Sequence, residues 1–514
     1  MKKPTIVLMV FLLFVSVNQI FSQLSEDKLT LLHEYYSKAL KDWNVPGMSI
    51  AIVSNDSILF MEGYGFTSIK SNQAVDDQTL FALASNTKAF TATALAMLEN
   101  QQKLNWDDKV ISYLPWFRMY DPFVTSEMNI RDLLSHRSGL KTFSGDLIWY
   151  GSTYSREEVI RKAAFLKPAH GFREQFGYSN IMYIAAGEII PQITGYSWDE
   201  FVRNKILFPL NMNRSVLSVN ELEGLTNVAQ PHTYVNGNPV IIPWLNWDNM
   251  APAGSLISSA SDMANWLMMN LNQGIFGQDT LLNVESIYEL QSPQTILPVT
   301  QASINRFPST HFRAYGLGWS LMDYMGYKIV SHNGGYDGMI SQTVLIPEAR
   351  IGFVIMTNAL SSLYYPLMYK TLDVLLDNPV QEDWNIEILH LVKKSEEYAQ
   401  NEKMSIDSNR VAGTVQSLNT TAYAGYYGCS VYDSIQVYQH KGELMLKFMR
   451  SPAFIGTLKH WHYDTYELVF KELPSLPRGF VTFTIDRNGK PSEMEIYLNN
   501  PDFDFREFDL KRLD

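Results

Sequence analysis

The chain has 514 residues, of which 46% are hydrophobic and 18% charged, so it is long and apolar enough for two or three globular domains. Its formal net charge of −12 argues against a surface that wraps a nucleic-acid backbone. The single cysteine, Cys429, excludes an intrachain disulfide, so stability must come from a large apolar core.

Residues 1–22 have the pattern of a secretory signal peptide. Lys2 and Lys3 precede an apolar run over residues 6–17, and the small residue Ser22 suits a cleavage site. The run is too short to cross a bilayer, although an uncleaved anchor is the alternative. We therefore expect residues 1–22 to be removed and the protein to be secreted or periplasmic, without a membrane span.

The next segment predicts a helix followed by a β-hairpin. Residues 26–43 carry apolar side chains at helical spacing, and Ser25 is a natural N-cap. Two apolar runs, residues 48–53 and 58–62, flank turn residues at 55–56, which is the pattern of a hairpin.

Helical patterns dominate residues 85–275, and strands return after residue 315. These strands are predicted over residues 317–322, 327–331, 341–347 and 351–357. Strands at both ends of a segment with helices between them predict an α+β fold, in which helices flank an antiparallel sheet and form an insertion. We expect this domain to span residues 23–378.

A helical linker and a small all-β domain are predicted to follow. Residues 384–403 form a charged helical pattern, and a Ser-, Asn- and Thr-rich passage follows it, which together predict a linker over residues 379–421. Residues 422–514 contain short alternating aromatic strands and predict a barrel or a sandwich. These strands are predicted over residues 434–438, 444–448, 466–470, 480–485 and 493–498.

Ser85 and Lys88 lie one turn apart where an apolar helix begins. Helix positions i and i+3 share a face, so the hydroxyl and the amine are expected to lie close together. A serine needs a base to become a nucleophile, and a lysine among apolar neighbours is costly to keep charged and can act as that base. The alternative is a surface lysine with an extended side chain. The second Ser-x-x-Lys, from Ser25 to Lys28, begins a polar helix and is interpreted as structural.

Two further motifs follow in the chain. Tyr178-Ser179-Asn180 precedes another apolar helix, so its tyrosine is expected to project into a cleft. His332-Asn333-Gly334-Gly335 follows a predicted strand, and its glycines leave backbone N–H groups free to bind an oxyanion. Three similar patterns lie in turns or at strand ends and are interpreted as structural; they begin at Tyr234, Tyr497 and His440.

Ser-x-x-Lys, Tyr-x-Asn and His-x-Gly, in this order, resemble the motifs of the serine β-lactamase and penicillin-binding-protein superfamily, in its class C β-lactamase-like branch. The resemblance covers residues 30–375 and includes the stretches 133–140, 252–256 and 315–319. Residues 422–514, with the sequence Tyr-Ala-Gly-Tyr-Tyr-Gly at 423–428, are similar to the small β-domain often appended to these hydrolases.

The resemblance implies catalytic roles for three residues. Ser85 would be the nucleophile that becomes acylated. Lys88 and Tyr178 would share the proton transfers, and either of them would be the base. The backbone N–H groups of Ser85 and Gly335 would form the oxyanion hole.

The resemblance also implies that Asn180, His332, Gly334 and Gly335 bind the substrate. Asn180 would contact the acyl-side amide or hold the lysine of the first motif. His332 would face a substrate carboxylate or assist the tyrosine. Many members have lysine at this position, and a histidine is only partly charged near neutral pH, which argues against efficient β-lactamase action and favours a peptidase or an esterase.

The sequence therefore predicts an exported serine hydrolase that acts through an acyl-enzyme on a small peptide, amide or ester, as D-aminopeptidases, carboxypeptidases and esterases do. The alternatives are a β-lactamase and a penicillin-binding sensor that acylates with little turnover. The expected partner is a small molecule or short peptide, including one derived from the cell wall. A further hypothesis is that the C-terminal domain caps the cleft and restricts substrates to small ones.

Neither a cofactor nor a metal is predicted. His460 and His462 would share one face of a strand, but a metal site needs further ligands, and the sequence does not indicate where they would come from. The two histidines are therefore interpreted as structural.

Overall fold

A computed structural model describes residues 24–379 and 382–513, and the predicted signal peptide lies outside these residues. The α-helices of the described chain are Glu26–Asp42, Thr87–Asn100, Val110–Tyr113, Pro122–Glu127, Ile130–Leu134, Asp146–Trp149, Arg156–Lys162, Asn180–Thr194, Trp198–Val202, Ala251–Gly254, Ala260–Leu271, Val284–Leu290, Gln301–Arg306, Tyr364–Leu375 and Trp384–Ser408. The first helix begins as predicted, because the Ser25 side chain accepts a hydrogen bond from the Lys28 N–H.

The larger unit is built around an eight-stranded antiparallel sheet. In spatial order its strands are Ile58–Gly65, Gly47–Ser54, Ile351–Thr357, Met339–Ile346, Tyr327–Tyr336, Ser320–Tyr324, Arg313–Tyr315 and Thr295–Leu297. The N-terminal hairpin joins the later strands directly, with Ile50 opposite Ile355. The predicted α+β fold, in which strands from both ends of the domain close one antiparallel sheet, is confirmed.

Helices cover both faces of this sheet. Successive side chains of a strand point to opposite faces. On one face Ile50 packs in a cluster with the helices Glu26–Asp42 and Tyr364–Leu375, and on the other Ala51 packs in a cluster with Ala260–Leu271. Burial on both faces explains why the strand Gly47–Ser54 is a nearly continuous apolar run.

Two apolar helices of the insertion bring the first two motifs together. Thr87–Asn100 and Asn180–Thr194 are buried along most of their length and pack against each other and against Ala251–Gly254. A helix that is apolar on all sides belongs in the interior of a protein. The N-terminal ends of the two helices therefore meet inside the molecule.

The predicted strand over residues 317–322 is displaced in the structure. The strand that forms there is Ser320–Tyr324. Gly318 precedes it with a φ of +83°, and a Cβ at this position would lie 2.9 Å from the carbonyl oxygen of Lys88. The chain turns here to pass close to the helix Thr87–Asn100, and this turn ends the extended conformation that the apolar residues suggested.

The C-terminal unit is a closed, eight-stranded antiparallel barrel, which decides between the two predicted architectures. Its strands are Gly425–Gly428, Ile435–His440, Glu443–Phe448, Ile455–His462, Thr465–Phe470, Gly479–Ile485, Pro491–Leu498 and Leu510–Arg512. Large aromatic side chains fill its interior, among them Tyr427, Phe448 and Phe483.

The loop after the barrel strand Pro491–Leu498 docks on the helical insertion. The Lys141 Nζ lies 3.0 Å from Asp504 Oδ2, and the rings of Tyr150 and Phe503 pack with their centroids 4.6 Å apart. These contacts hold the barrel against residues 141–150 of the helical insertion. Within residues 24–379 and 382–513, no helix has the length and apolarity needed to cross a bilayer.

Candidate active site

Ser85 lies in a short 3-10 turn, Ala84–Asn86, immediately before the helix Thr87–Asn100. The preceding residue, Ala84, has a φ of +46°, a left-handed conformation that costs free energy when a Cβ is present. The Thr87 hydroxyl donates a hydrogen bond to the Ala84 carbonyl at 2.6 Å and helps to hold this conformation. The strained turn gives Ser85 a fixed place at the start of the helix.

Lys88 is fully buried, and its amine contacts three oxygen atoms. Its Nζ lies 3.1 Å from Ser85 Oγ, 2.7 Å from Asn180 Oδ1 and 2.8 Å from the Ala253 carbonyl oxygen. Burial lowers the pKa of Lys88 well below its usual value, against the opposing charge of Asp146. A neutral amine here donates to the amide and the carbonyl and accepts the Ser85 hydroxyl proton, which is the geometry of a general base.

Tyr178 packs over the same amine, with Lys88 Nζ 4.7 Å from its ring centroid. Burial and the charge of Asp146 raise the pKa of Tyr178 far above its usual value, while the interaction with Ser85 opposes the shift. A phenol that holds its proton so firmly is a poor base. The structure therefore favours Lys88 as the base and Tyr178 as a hydrogen-bond donor.

Asn180 connects Lys88 to a buried acid that the sequence analysis did not identify. Its Oδ1 accepts from the lysine, and its Nδ2 donates to Asp146 Oδ2 at 2.7 Å. Asp146 also accepts from Trp149 Nε1 at 2.9 Å, and burial raises its pKa to about 8. The amide thus holds Lys88, which was one of its two predicted roles. The sequence signal for this acid was its position, because Asp146 follows Gly145 and directly precedes the apolar run 147–149.

His332 lies close to the predicted catalytic tyrosine, with the ring centroids of His332 and Tyr178 6.3 Å apart. Its Nε2 lies 2.8 Å from the Tyr315 hydroxyl, and its Nδ1 lies 2.6 Å from the Asn333 carbonyl oxygen. Burial, helped by the charge of Lys88, lowers the pKa of His332 to about 3. The expectation of a partly charged histidine is corrected: the ring is neutral at physiological pH. A cation facing a substrate carboxylate is disfavoured, and both ring nitrogens of His332 are engaged by Tyr315 and Asn333 rather than by Tyr178.

The predicted strand over residues 327–331 extends to Tyr336, so His332 and the two glycines lie within it rather than after it. A side chain at Gly334 would collide with the Leu83 carbonyl oxygen, to which Ser341 Oγ donates at 2.7 Å. Gly334 therefore permits close packing beside the turn that holds Ser85. It is not among the residues that line the cavity described below, so its contact with substrate stays a prediction. Gly335 is exposed and lines the cavity described below.

Replacing these two glycines separately should distinguish packing from substrate contact. We expect Gly334→Ala to lower the free energy of unfolding by about 1–3 kcal/mol, because its methyl group meets fixed backbone atoms. The matched variant Gly335→Ala should change stability by less than about 1 kcal/mol, because only Ile340 Cδ1 approaches, at 3.7 Å. Urea titration of both variants tests this, and equal losses would contradict it.

His136 is a second buried histidine beside Tyr178, and the sequence analysis gave it no role. Its Nδ1 accepts a hydrogen bond from the Ser179 N–H at 3.0 Å, and its ring centroid lies 4.3 Å from that of Tyr178. Burial lowers the pKa of His136 well below its usual value, and its φ of +57° is left-handed. The only signal was its place in the 133–140 stretch that carried the family resemblance.

A cavity of about 500 Å³ opens beside these groups. The hydrolase unit contributes the polar atoms of Ser85, Tyr178 and Asn180 together with several aromatic rings. The barrel contributes a further part of the wall, formed by Ser475, Leu476, Asn500, Asp502 and Phe503. Both units therefore enclose the cavity, which is the arrangement that the capping hypothesis requires.

The two histidines considered as metal ligands are engaged elsewhere. His460 Nε2 lies 2.9 Å from the Tyr463 carbonyl oxygen, and the Val411 N–H donates to His462 Nδ1 at 3.3 Å. Over the described ranges, no group of three or more His, Cys, Asp or Glu side chains is arranged to hold a metal ion.

A serine, a lysine and a tyrosine that meet at the ends of two buried helices beside an antiparallel sheet define a serine hydrolase. The chain belongs to the β-lactamase family, because the family model described as Beta-lactamase matches residues 18–370. A second model, described as a domain of unknown function (DUF3471), matches residues 409–512, which contain the barrel. The family predicted from the three ordered motifs is confirmed.

Similar proteins occur in fungi and bacteria. Unguisins hydrolase ungD of Aspergillus violaceofuscus is 28% identical over 451 residues, which cover 81% of this chain and 77% of that protein. Unguisins hydrolase ungD' of Aspergillus campestris is 31% identical, with 68% of this chain and 66% of that protein covered. Protein flp of Staphylococcus aureus is 26% identical, with 69% and 68% covered.

Solved structures of two proteins share the fold. The octameric penicillin-binding protein homologue from Pyrococcus abyssi superposes with a TM-score of 0.61 at 20% identity and covers 94% of this chain and 100% of its own. SurE superposes with a TM-score of 0.54 at 16% identity and covers 95% and 99%. At these identities the similarity establishes the architecture only.

Proposed function

We propose that this serine hydrolase acts through an acyl-enzyme at Ser85 on a small peptide, amide or ester. The observation that supports the proposal is the buried Lys88 amine, 3.1 Å from Ser85 Oγ. The hydroxyl oxygen attacks the substrate carbonyl while Lys88 takes its proton. Lys88 then passes this proton to the leaving amine or alcohol, and water hydrolyses the acyl-enzyme ester to release the acid and restore Ser85.

The size and polarity of the cavity support a substrate of modest size. About 500 Å³ lies within the range of small-ligand sites. A neutral His332 supplies no cation for a substrate carboxylate, which supports aminopeptidase or esterase chemistry over β-lactamase chemistry. The hydrolase names of two relatives agree with this reaction class.

We also propose that the protein is exported, to the periplasm or beyond the cell. The support is the sequence of residues 1–22, in which two lysines precede a short apolar run and a small residue stands at the end.

Covalent labelling tests the acyl-enzyme directly. Wild-type protein should react with a fluorophosphonate or a fluorescent penicillin at Ser85, and Ser85→Ala should not react. Ser25→Ala, at the other Ser-x-x-Lys, is the matched control and should label as wild type does. Labelling that survives Ser85→Ala would contradict the proposal.

Mass spectrometry of the labelled protein over time separates turnover from sensing. An acyl adduct formed with a small ester or amide should disappear as water hydrolyses it. A permanent adduct with every substrate would favour the sensor alternative.

A further inference from the structure

The cavity beside Ser85 has an unusual charge balance. Three aspartate side chains line it, Asp146, Asp337 and Asp502. Asp146 is largely protonated near pH 7, because burial raises its pKa to about 8, so Asp337 and Asp502 carry the charge. Among the described residues, no lysine or arginine side chain lines it. Its other walls are largely aromatic, and include Tyr150, Trp247 and Tyr336. Aromatic faces and carboxylates both attract cations.

Asp337 has an oxygen atom that lacks a partner. The residue occupies the turn after the strand Tyr327–Tyr336, where Tyr336 pairs with Met339 across a two-residue connection. Its Oδ1 accepts from the Tyr150 hydroxyl at 2.8 Å, while its Oδ2 is shielded from solvent and has no hydrogen-bond partner among the described residues. A buried carboxylate oxygen without a donor is costly, and a ligand can supply the missing donor.

The strand also sets the distance from Asp337 to Gly335. Gly335, which lines the same cavity, is two positions earlier on the strand. Two residues of extended chain span about 7 Å. Asp337 therefore lies about two extended residues along the chain from the cavity wall at Gly335.

Asp502 comes from the barrel and faces the same space. It precedes Phe503, whose ring packs on Tyr150, and it lies close in sequence to Asp504, which pairs with Lys141. These contacts fix the loop that carries it. Burial raises the pKa of Asp502, and burial together with Asp502 raises the pKa of Asp337 to about 6. A cation between two partly desolvated carboxylates stabilises their charged forms.

We infer that the site selects substrates that carry a protonated amine, which Asp337 binds as the main anchor and Asp502 of the barrel binds as the second. The inference rests on the proposed hydrolase function and names its substrate class. The ammonium group belongs either to a free N-terminal amine beside the scissile bond or to a basic side chain. In both cases the barrel is a part of the substrate site rather than an appended module.

Binding to the Ser85→Ala protein tests the inference without requiring catalysis. Three probes are titrated calorimetrically into the full chain: alaninamide with a free α-amine, N-acetylalaninamide with none, and Nα-acetyllysinamide with a side-chain ammonium. We expect one or both amines to bind at least about tenfold more tightly than N-acetylalaninamide, as hydrogen bonds to charged groups imply. The stronger of the two amines identifies the source of the ammonium group.

Isosteric variants then assign the residues. Asp337→Asn in the Ser85→Ala protein should weaken binding of the preferred amine about tenfold to a hundredfold, and Asp502→Asn should weaken it less. N-acetylalaninamide should bind equally to the Ser85→Ala protein and to the two variants that add Asp337→Asn or Asp502→Asn. Asp509→Asn is the matched control, because its exposed carboxylate pairs with Lys511 instead of lining this cavity, and it should leave binding unchanged.

The outcomes are distinct. Equal binding of neutral and cationic probes, or equal loss for both probes in Asp337→Asn, would overturn the inference. If wild-type protein hydrolyses substrates but is never labelled at Ser85, the acyl-enzyme proposal is refuted. The selectivity for an amine is measured separately, by the binding of the three probes.

Discussion

Replacing Lys88 with methionine is expected to slow acylation of Ser85 about a thousandfold, within the range that a general base contributes. Methionine has nearly the same length as lysine but cannot take the hydroxyl proton. It also donates nothing to Asn180 Oδ1 and the Ala253 carbonyl, which costs about 1–3 kcal/mol of stability. Removing a buried amine offsets part of this cost, so the variant should remain folded.

The dependence of acylation on pH provides a second readout. Only the neutral amine can act as a base, so the wild-type rate should rise with pH as Lys88 loses its proton. Because burial lowers the pKa of Lys88, the rise should level off well below pH 10.5. Single-turnover labelling with a fluorophosphonate measures the rate, and Lys88→Met should lack this rise.

The chain provides a matched control in its other Ser-x-x-Lys. Lys28 Nζ pairs with Asp377 at 2.7 Å on the surface, so Lys28→Met makes the same chemical change away from the cavity. It should leave the acylation rate unchanged. If Lys88→Met also acylates at the wild-type rate while folding normally, Lys88 is not the base and Tyr178 would have to be reconsidered.

Local sequence signals were sufficient for the first helix and the hairpin that follows it. The helix Glu26–Asp42 begins after Ser25 because its side chain caps the helix, and the paired runs around residues 55–56 form the predicted hairpin. Two of the similar patterns lie in the kind of element that local context predicted: Tyr234 lies in a short hairpin strand, and His440 ends a barrel strand before a turn. Helix capping and turn formation depend on residues only a few positions apart, so both can be predicted from a single sequence.

Burial, in contrast, depends on contacts between distant segments. Asn180 meets Lys88 across 92 residues and Asp146 across 34 residues, and no local pattern specifies either contact. The charge state of His332 was misjudged for the same reason, because the neutral ring results from packing against Tyr315 and from enclosure within the sheet. The part of the cavity wall supplied by the barrel could not be predicted either, since the docking of two units leaves no periodic signal in one sequence.

Asp132 is the position at which we expect the largest loss of stability from a single isosteric change. Its carboxylate is fully buried and pairs with Arg137 at 2.5 Å and with Arg173 at 2.7 Å. It also accepts the Asn129 N–H at 3.0 Å, which completes a capping box on the helix Ile130–Leu134. Asp132→Asn removes the charge that balances two guanidinium groups and should lower the free energy of unfolding by about 3–5 kcal/mol.

Asp107→Asn is the matched control for this change. Its carboxylate is largely exposed and lies 3.3 Å from Arg131 Nε, so the loss should stay below about 1 kcal/mol. Urea titration of the full-length variants, followed by tryptophan fluorescence, compares the two. A loss in Asp132→Asn no larger than that in Asp107→Asn would show that the buried pairs do not stabilise the fold.

The same change should reduce acylation even under conditions in which the variant stays folded. Arg137 directly follows His136, whose ring packs on Tyr178, and the Arg173 N–H donates to the Arg137 carbonyl at 2.9 Å. Asp132 therefore connects the turn that holds the histidine to the loop that leads to the tyrosine. A shift in this connection moves the phenol relative to Ser85, and small displacements of positioned groups are costly for catalysis. Folded Asp132→Asn that acylates at the wild-type rate would restrict the role of Asp132 to stability.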